Sequence, residues 1–289
     1  MTGFKFSEDV ENVRCMIEWW RNSKFRPTGA VPFYERHLER LGNRSHPRVL
    51  VLGVTPELRM LALRKGCEVT AVDISMVMLN AMSEFMDYDG LDKTRETVIH
   101  GDWLSVPLEK QGYDLAMGDG FLNCLDNLRD YETLLARLRD LLKPDGYLSA
   151  RISNLPDTWK PMNMLEILED YGNSRTGNPH PGCFDLQLSL RLALSADSYS
   201  EQSGRWSWRK VIGKLKRLEE EGRISKEAFA PLLDYFCNMP QFWTIRERTM
   251  PRRHVLEGCL RRDFDVVERV NMEGGAANMY LLKPLAKKF

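Results

Sequence analysis

The sequence predicts an α/β protein: a doubly wound, mostly parallel sheet with helices on both faces, a reversed strand near the C-terminus and a mixed, largely helical insertion. Three observations carry this. Between residues 48 and 152, short apolar runs alternate with segments of helical period. The runs are apolar without alternation, as in strands covered on both faces by helices. Near the C-terminus, strand-like runs at 264–270 and 278–282 are joined by a short connection holding Gly274 and Gly275, which forces such neighbours antiparallel.

In chain order, an amphipathic helix is expected over 7–21, with Ser7 as N-cap and Val10, Val13, Ile17 and Trp20 on one side. A loop with Pro27 and Gly29 leads to a helix over 32–41 that stops at Gly42. These make a helical arm over residues 1–45. Its Trp19, Trp20, Phe33 and Tyr34 are read as packing on the sheet; the sharper alternative is an arm that covers a ligand, with Trp20 and Tyr34 lining a substrate pocket.

Val49 to Leu52 make the first strand, and Gly53 ends it. Pro56 and Glu57 suit the first turn of a helix, where proline loses no hydrogen bond and a carboxylate meets the positive end of the dipole. Leu58, Leu61 and Ala62 recur at helical spacing, and Lys65-Gly66 stops the helix. A second strand over 68–72 delivers Asp73, 20 residues after Gly53. Ser75 caps a helix expected to reach Asp87, followed by a polar loop and a third strand over 97–100 that ends in Gly101-Asp102-Trp103. The fourth strand, 113–117, runs into Gly118-Asp119-Gly120-Phe121-Leu122-Asn123. A leucine-rich helix over 128–142, a turn at Lys143-Pro144-Asp145-Gly146 and a fifth strand over 147–152 complete the series.

An acid at the end of the second strand of a β-α-β unit can accept bonds from both hydroxyls of an adenosine ribose. A dinucleotide also needs glycines that let the backbone close on its pyrophosphate at the helix N-terminus. The turn Gly53-Val54-Thr55-Pro56-Glu57 has one glycine, a proline without an N–H and an acid that would repel phosphate. S-adenosylmethionine carries no phosphate and tolerates that acid. Asp102 is placed to accept from the adenine amino group, with Trp103 stacking on or flanking the ring.

The pieces Val-Leu-Val-Leu-Gly-Val-Thr-Pro-Glu, Ala-Val-Asp-Ile-Ser, His-Gly-Asp-Trp, Tyr-Asp-Leu-Ala-Met-Gly-Asp-Gly and Leu-Leu-Lys-Pro-Asp-Gly-Tyr-Leu stand in order over about residues 48–152. The series resembles the class I, Rossmann-like S-adenosylmethionine-dependent methyltransferases, which are also similar in ending the sheet with a reversed strand. The resemblance implies S-adenosyl-L-methionine as cofactor, held by Gly53, Val54, Thr55 and Glu57 at the methionine end, Asp73 with Ile74 and Met76 at the ribose and adenine, Asp102 and Trp103 at adenine, and Gly118 and Asp119 facing the reaction. It departs from the family where Asp/Glu-x-Gly-x-Gly-x-Gly is common: in Leu52-Gly53-Val54-Thr55-Pro56-Glu57 the acid before the first glycine and the later glycines are missing. Thr55 and Glu57 are the candidate substitutes.

The methyltransferase-like unit is expected over 46–154 and 259–289, interrupted by a cap over 155–258. The cap is read as a loop-like start, a strand-like piece over 184–194, and helices over 207–221 and 225–236. Its aromatics, among them Trp159, Tyr199, Trp206 and Trp208, suit a substrate pocket; the alternative is a structural extension or the face of a homodimer. Asn123 and Phe184 are candidate substrate contacts. Asp119, and after it His180, are candidate proton acceptors for an acceptor atom whose proton has a high pKa. The equal 41 basic and 41 acidic residues oppose a general nucleic-acid binder, no apolar run reaches the ~20 residues of a membrane span, and six scattered cysteines form no C-x-x-C pair. The expectation is a cytoplasmic enzyme that methylates an O, N or S atom of a small metabolite without a metal, set against a non-catalytic binding module or an NAD-dependent oxidoreductase.

Overall fold

The computed structural model describes residues 6–22, 26–174, 186–226, 230, 247–272 and 277–286. Seven strands form one sheet in the order β3-β2-β1-β4-β5-β9-β8. They are β1 (Arg48–Leu52), β2 (Glu68–Asp73), β3 (Glu96–His100), β4 (Tyr113–Asp119), β5 (Leu142–Ser153), β8 (Phe264–Met272) and β9 (Ala277–Pro284). β1 to β5 are parallel, and β9 runs antiparallel to both β5 and β8. The expected reversed strand is therefore present, inserted between β5 and β8. The chain reverses direction of travel between β3 and β4, so the tips of β1, β2 and β4 meet at the switch point where ligands bind in such sheets.

The helices divide between the two faces. On one side, α1 (Phe6–Asn22), α2 (Val31–Glu39), α3 (Pro56–Arg64) and α4 (Met76–Ser83) cover β1 and β2, with Met16, Trp20, Tyr34, Leu58 and Met82 buried against Val49, Val51 and Met117. The packing reading of the arm holds, and α1 lies on α4 and α2 on α3. On the other side, α5 (Leu128–Leu141) and α9 (Arg253–Asp263) bury Leu134, Leu138, Leu256 and Leu260 against Leu50, Ala116 and Ala150. The buried pair Arg59–Glu96, at 2.7 Å with Tyr88 as a second donor, ties α3 to the edge strand β3.

Several boundaries moved. The first helix begins at Phe6, which puts Ser7 inside the first turn, and the helix capped by Ser75 stops at Ser83. The expected turn at 143–146 is a bulge within a continuous β5, where the pairing with β4 shifts between Tyr113 and Leu115. A Cβ on Gly146 would stand 3.0 Å from the Asp114 carbonyl oxygen, so glycine permits this close approach.

Residues 155–250 contribute a separate apolar cluster that includes Leu155, Met164, Leu192, Trp206, Trp208, Val211 and Leu215. It is built from α6 (Met164–Ser174), α7 (Leu186–Ala193), α8 (Trp208–Glu220) and a small hairpin of β6 (Arg205–Ser207) with β7 (Glu247–Thr249). The expected strand over 184–194 is instead helix α7. Its alternating leucines also fit the i, i+4 spacing of Leu188 and Leu192, both buried, and a run of leucine without β-branched residues favours helix. The helix expected over 225–236 falls largely outside the described residues.

Candidate active site

β1 ends at Gly53, whose φ of +92° is open to glycine and strained for other residues. Its amide donates to the Val72 carbonyl at 2.8 Å, which folds the turn back over the tip of β2. Asp73 closes that strand at 8% exposure. One carboxylate oxygen accepts the Ser75 amide at 2.8 Å; the other would stand 3.8 Å from a Cβ on Gly53. The carboxylate is thus fixed beside the glycine turn by the start of α4, and Ser75 caps α4 through the Met78 amide. Ile74 and Met76, 45% and 37% exposed, stand beside it as apolar side chains open to solvent. Their exposure suits the flat face of a base.

Asp102 accepts the Leu104 amide and so shapes the loop after β3. Trp103 follows, and its indole donates to the Val72 carbonyl at 2.6 Å, comes within 4.0 Å of the Gly53 Cβ position and meets Phe121 edge-on. It is anchored to the tip of β2 and packs against the apolar core. Val54 is buried, and Thr55 stands at the N-cap of α3 without a side-chain cap bond. Glu57, in the first turn, is paired with Arg26 at 2.6 Å.

At the tip of β4, Asp119 is gripped by Arg151 of β5 through both oxygens, at 2.6 and 2.8 Å. These residues are direct neighbours in the parallel ladder. Both oxygens are thus engaged by charge-assisted hydrogen bonds from one guanidinium. Tyr34, fully buried, donates to the Gly118 carbonyl at 2.8 Å and accepts the Arg151 amide at 3.0 Å. Burial, then the charge of Asp119, pushes its phenol well above the usual range, so it stays protonated. Tyr34 therefore fastens α2 to the ends of β4 and β5 through its hydroxyl. Gly118 is glycine for packing: a Cβ there would fall 2.4 Å from the Phe121 ring.

Asn123 is also committed. Its amide nitrogen donates to the Ser153 and Thr249 carbonyls and its oxygen accepts the Ser153 amide. This corrects its expected substrate role: every polar atom of the side chain fastens backbone. Trp20 is buried, with an indole N–H that finds no partner. His180 and Phe184 lie outside the described residues. The site residues that sequence reasoning missed are Arg151 and Arg26. The first had a signal: a cation within an apolar strand, in register with the acid ending the strand before it.

Among the described residues, no helix is long and apolar enough to cross a membrane, and no group of three or more His, Cys, Asp or Glu side chains is placed to hold a metal ion. The chain matches no curated protein sequence. A family described as a methyltransferase domain matches residues 54–148. Solved structures resemble the whole chain. A Rhodobacter sphaeroides structure named for Zn-dependent alcohol dehydrogenases aligns with 16% identity over 98% of this chain and 100% of its own, with a TM-score of 0.56. The CcbJ methyltransferase of Streptomyces caelestis aligns with 16% identity over 88% and 89%, at 0.52. The 1,6-didemethyltoxoflavin-N1-methyltransferase of Burkholderia thailandensis, holding 1,6-didemethyltoxoflavin and S-adenosylhomocysteine, aligns with 14% identity over 97% and 87%, at 0.52. At these identities the likeness is one of fold.

An acid fixed beside a single-glycine turn, apolar side chains open next to it and a phosphate-repelling Glu57 fit an adenosine attached to a sulfonium amino acid better than a dinucleotide. The domain match over residues 54–148, laid over this strand order, makes this part of the chain a methyltransferase domain, and S-adenosyl-L-methionine is the cofactor of such a domain.

Proposed function

We propose that this enzyme methylates an O, N or S atom of a small-molecule metabolite, with residues 155–258 as the substrate cap over a cofactor site made by Gly53, Asp73, Ile74, Met76, Asp102 and Trp103. The observation that carries the cofactor site is the Asp73 carboxylate, buried, oriented by the Ser75 amide and facing the Gly53 turn. The cap is supported by its attachment: β7 is hydrogen-bonded through Thr249 to Asn123 and Tyr131 beside the tip of β4. The small-molecule substrate is supported by the zero net charge and by the Burkholderia neighbour, whose bound partner is a small heterocycle.

When bound, the cofactor supplies an activated methyl group on a sulfonium. The chain's work is then alignment and the exclusion of water. Asp73 holds the ribose, Trp103 and Phe121 close the wall, and the Asp119–Arg151 pair sets the electrostatics where the acceptor enters. Because Arg151 spends the charge of Asp119, the site suits an acceptor that offers a lone pair at neutral pH, such as an amine, over one that needs a strong base. The scattered cysteines support a cytoplasmic setting, and a homodimer through the cap remains part of the proposal.

The test is calorimetry with S-adenosylhomocysteine, followed by transfer of a labelled methyl group into pools of small metabolites. Micromolar binding and a labelled small product are expected. Label appearing only in protein or nucleic acid would overturn the substrate class, and tight NADH binding would overturn the cofactor site.

A further inference from the structure

We propose that Glu57 and Arg26 form the receptor for the amino-acid end of the cofactor, Glu57 taking the ammonium and Arg26 the carboxylate. The proposal rests on the methyltransferase assignment and concerns the place where this chain departs from the family's glycine-rich pattern. Two positions before the turn glycine, where an acid is common, stands Val51, which is fully buried in the apolar core. No acid can act from there. Glu57 stands four positions beyond Gly53, in the first turn of α3, on the same end of the sheet as Asp73.

The Glu57 side chain is 10% exposed. One oxygen accepts the Arg26 Nε at 2.6 Å; the other is buried and has no hydrogen-bond partner. Leaving a carboxylate oxygen dry and unmet is a cost to the fold. A ligand ammonium removes that cost with a charged donor. Arg26 commits only its Nε to Glu57 and is 35% exposed, which leaves the planar fork of its terminal nitrogens for a carboxylate. An α-amino acid carries both charges on one carbon. An acid and a guanidinium already in contact present the complementary charges side by side.

The position also fits the reach of the ligand. With its ribose on Asp73, the adenosyl group lies beside the Gly53 turn, since the Asp73 carboxylate stands at 3.8 Å from that glycine's Cβ position. The chain beyond the sulfur then runs along the turn 53–56 to the start of α3.

Calorimetry with three ligands separates the parts: S-adenosylhomocysteine carries both charged groups, decarboxylated S-adenosylmethionine only the ammonium, and 5′-methylthioadenosine neither. In Glu57→Gln, the first two are expected to bind roughly 10–100-fold more weakly, the scale of one charge-assisted hydrogen bond, with 5′-methylthioadenosine unchanged. In Arg26→Gln, S-adenosylhomocysteine alone weakens, by about 10-fold. Retained 5′-methylthioadenosine binding reports that each variant is folded. Equal weakening of all three ligands, or unchanged binding of S-adenosylhomocysteine in Glu57→Gln, overturns the proposal. If the unaltered protein binds none of the three, the cofactor assignment falls, and the receptor with it.

Discussion

The tips of β2 and β4 each carry an aspartate, with only β1 between them, and the protein treats the two acids in opposite ways. Asp73 receives a backbone amide and faces an open glycine turn. Asp119 receives a guanidinium on both oxygens and lies under the hydroxyl of Tyr34. The same residue type at equivalent positions is met by a backbone amide beside a glycine turn in one case and by a guanidinium in the other. Strand-tip placement alone does not make an acid a ligand-binding group; what already neutralises it decides.

The contrast can be broken most severely at β4. Asp119→Ala removes the carboxylate that meets two nitrogens of Arg151 at 13% exposure, so a loss of about 3 kcal/mol in stability is expected by urea denaturation, with S-adenosylhomocysteine affinity little changed. A stable variant that no longer binds would reverse the roles of the two tips.

Acid titration sharpens the picture once a background group is accounted for. His37, whose Nδ1 lies 2.7 Å from the Ser149 hydroxyl, has its pKa lowered to about 4, chiefly by burial, with Arg36 and Arg40 adding to the shift and Glu268 opposing it. The folded state therefore keeps His37 neutral while the unfolded chain binds a proton below about 6.5. Stability is full above that value and falls as pH drops toward 4, by up to about 3 kcal/mol. His37→Gln should flatten the pH dependence of the melting temperature between those limits; an unchanged slope would locate it elsewhere.

At β2, Asp73→Ala should weaken S-adenosylhomocysteine binding roughly 100-fold by calorimetry, about 2–3 kcal/mol for the paired ribose contacts, with a smaller change in stability than at Asp119. Binding within threefold of the unaltered protein would remove Asp73 from the site. The mildest change is Tyr34→Phe, which leaves the Gly118 carbonyl and the Arg151 amide unmet. It should cost about 1–2 kcal/mol in stability, read by thermal melting; a destabilisation near zero would show that these groups find other partners.

The parallel strands and the acid at the tip of β2 were legible because each depends on local pattern: unbroken apolar runs, one turn glycine and a fixed spacing. What the sequence hid depends on contacts across the fold. Asp119 read as a free acid because its neutraliser, Arg151, is 32 positions later and meets it only through the β4–β5 register. Gly118 read as a cofactor contact, whereas its missing side chain makes room for Phe121. Asn123 read as a substrate contact from its place in the loop, and its amide is consumed by backbone on both sides. Leucines at 186, 188, 190, 192 and 194 satisfy period two and an i, i+4 set alike, so α7 was ambiguous until Leu188 and Leu192 were seen to share a buried side.

The clasp made by Asn123 has a consequence for the segment it ties. Ser153 ends β5, where the chain leaves the sheet, and Thr249 ends β7, the last strand of the small hairpin; one amide ties both, with Leu155 and Arg252 paired just beyond. A segment whose departure and return share one knot can be lengthened, shortened or exchanged without disturbing strand order.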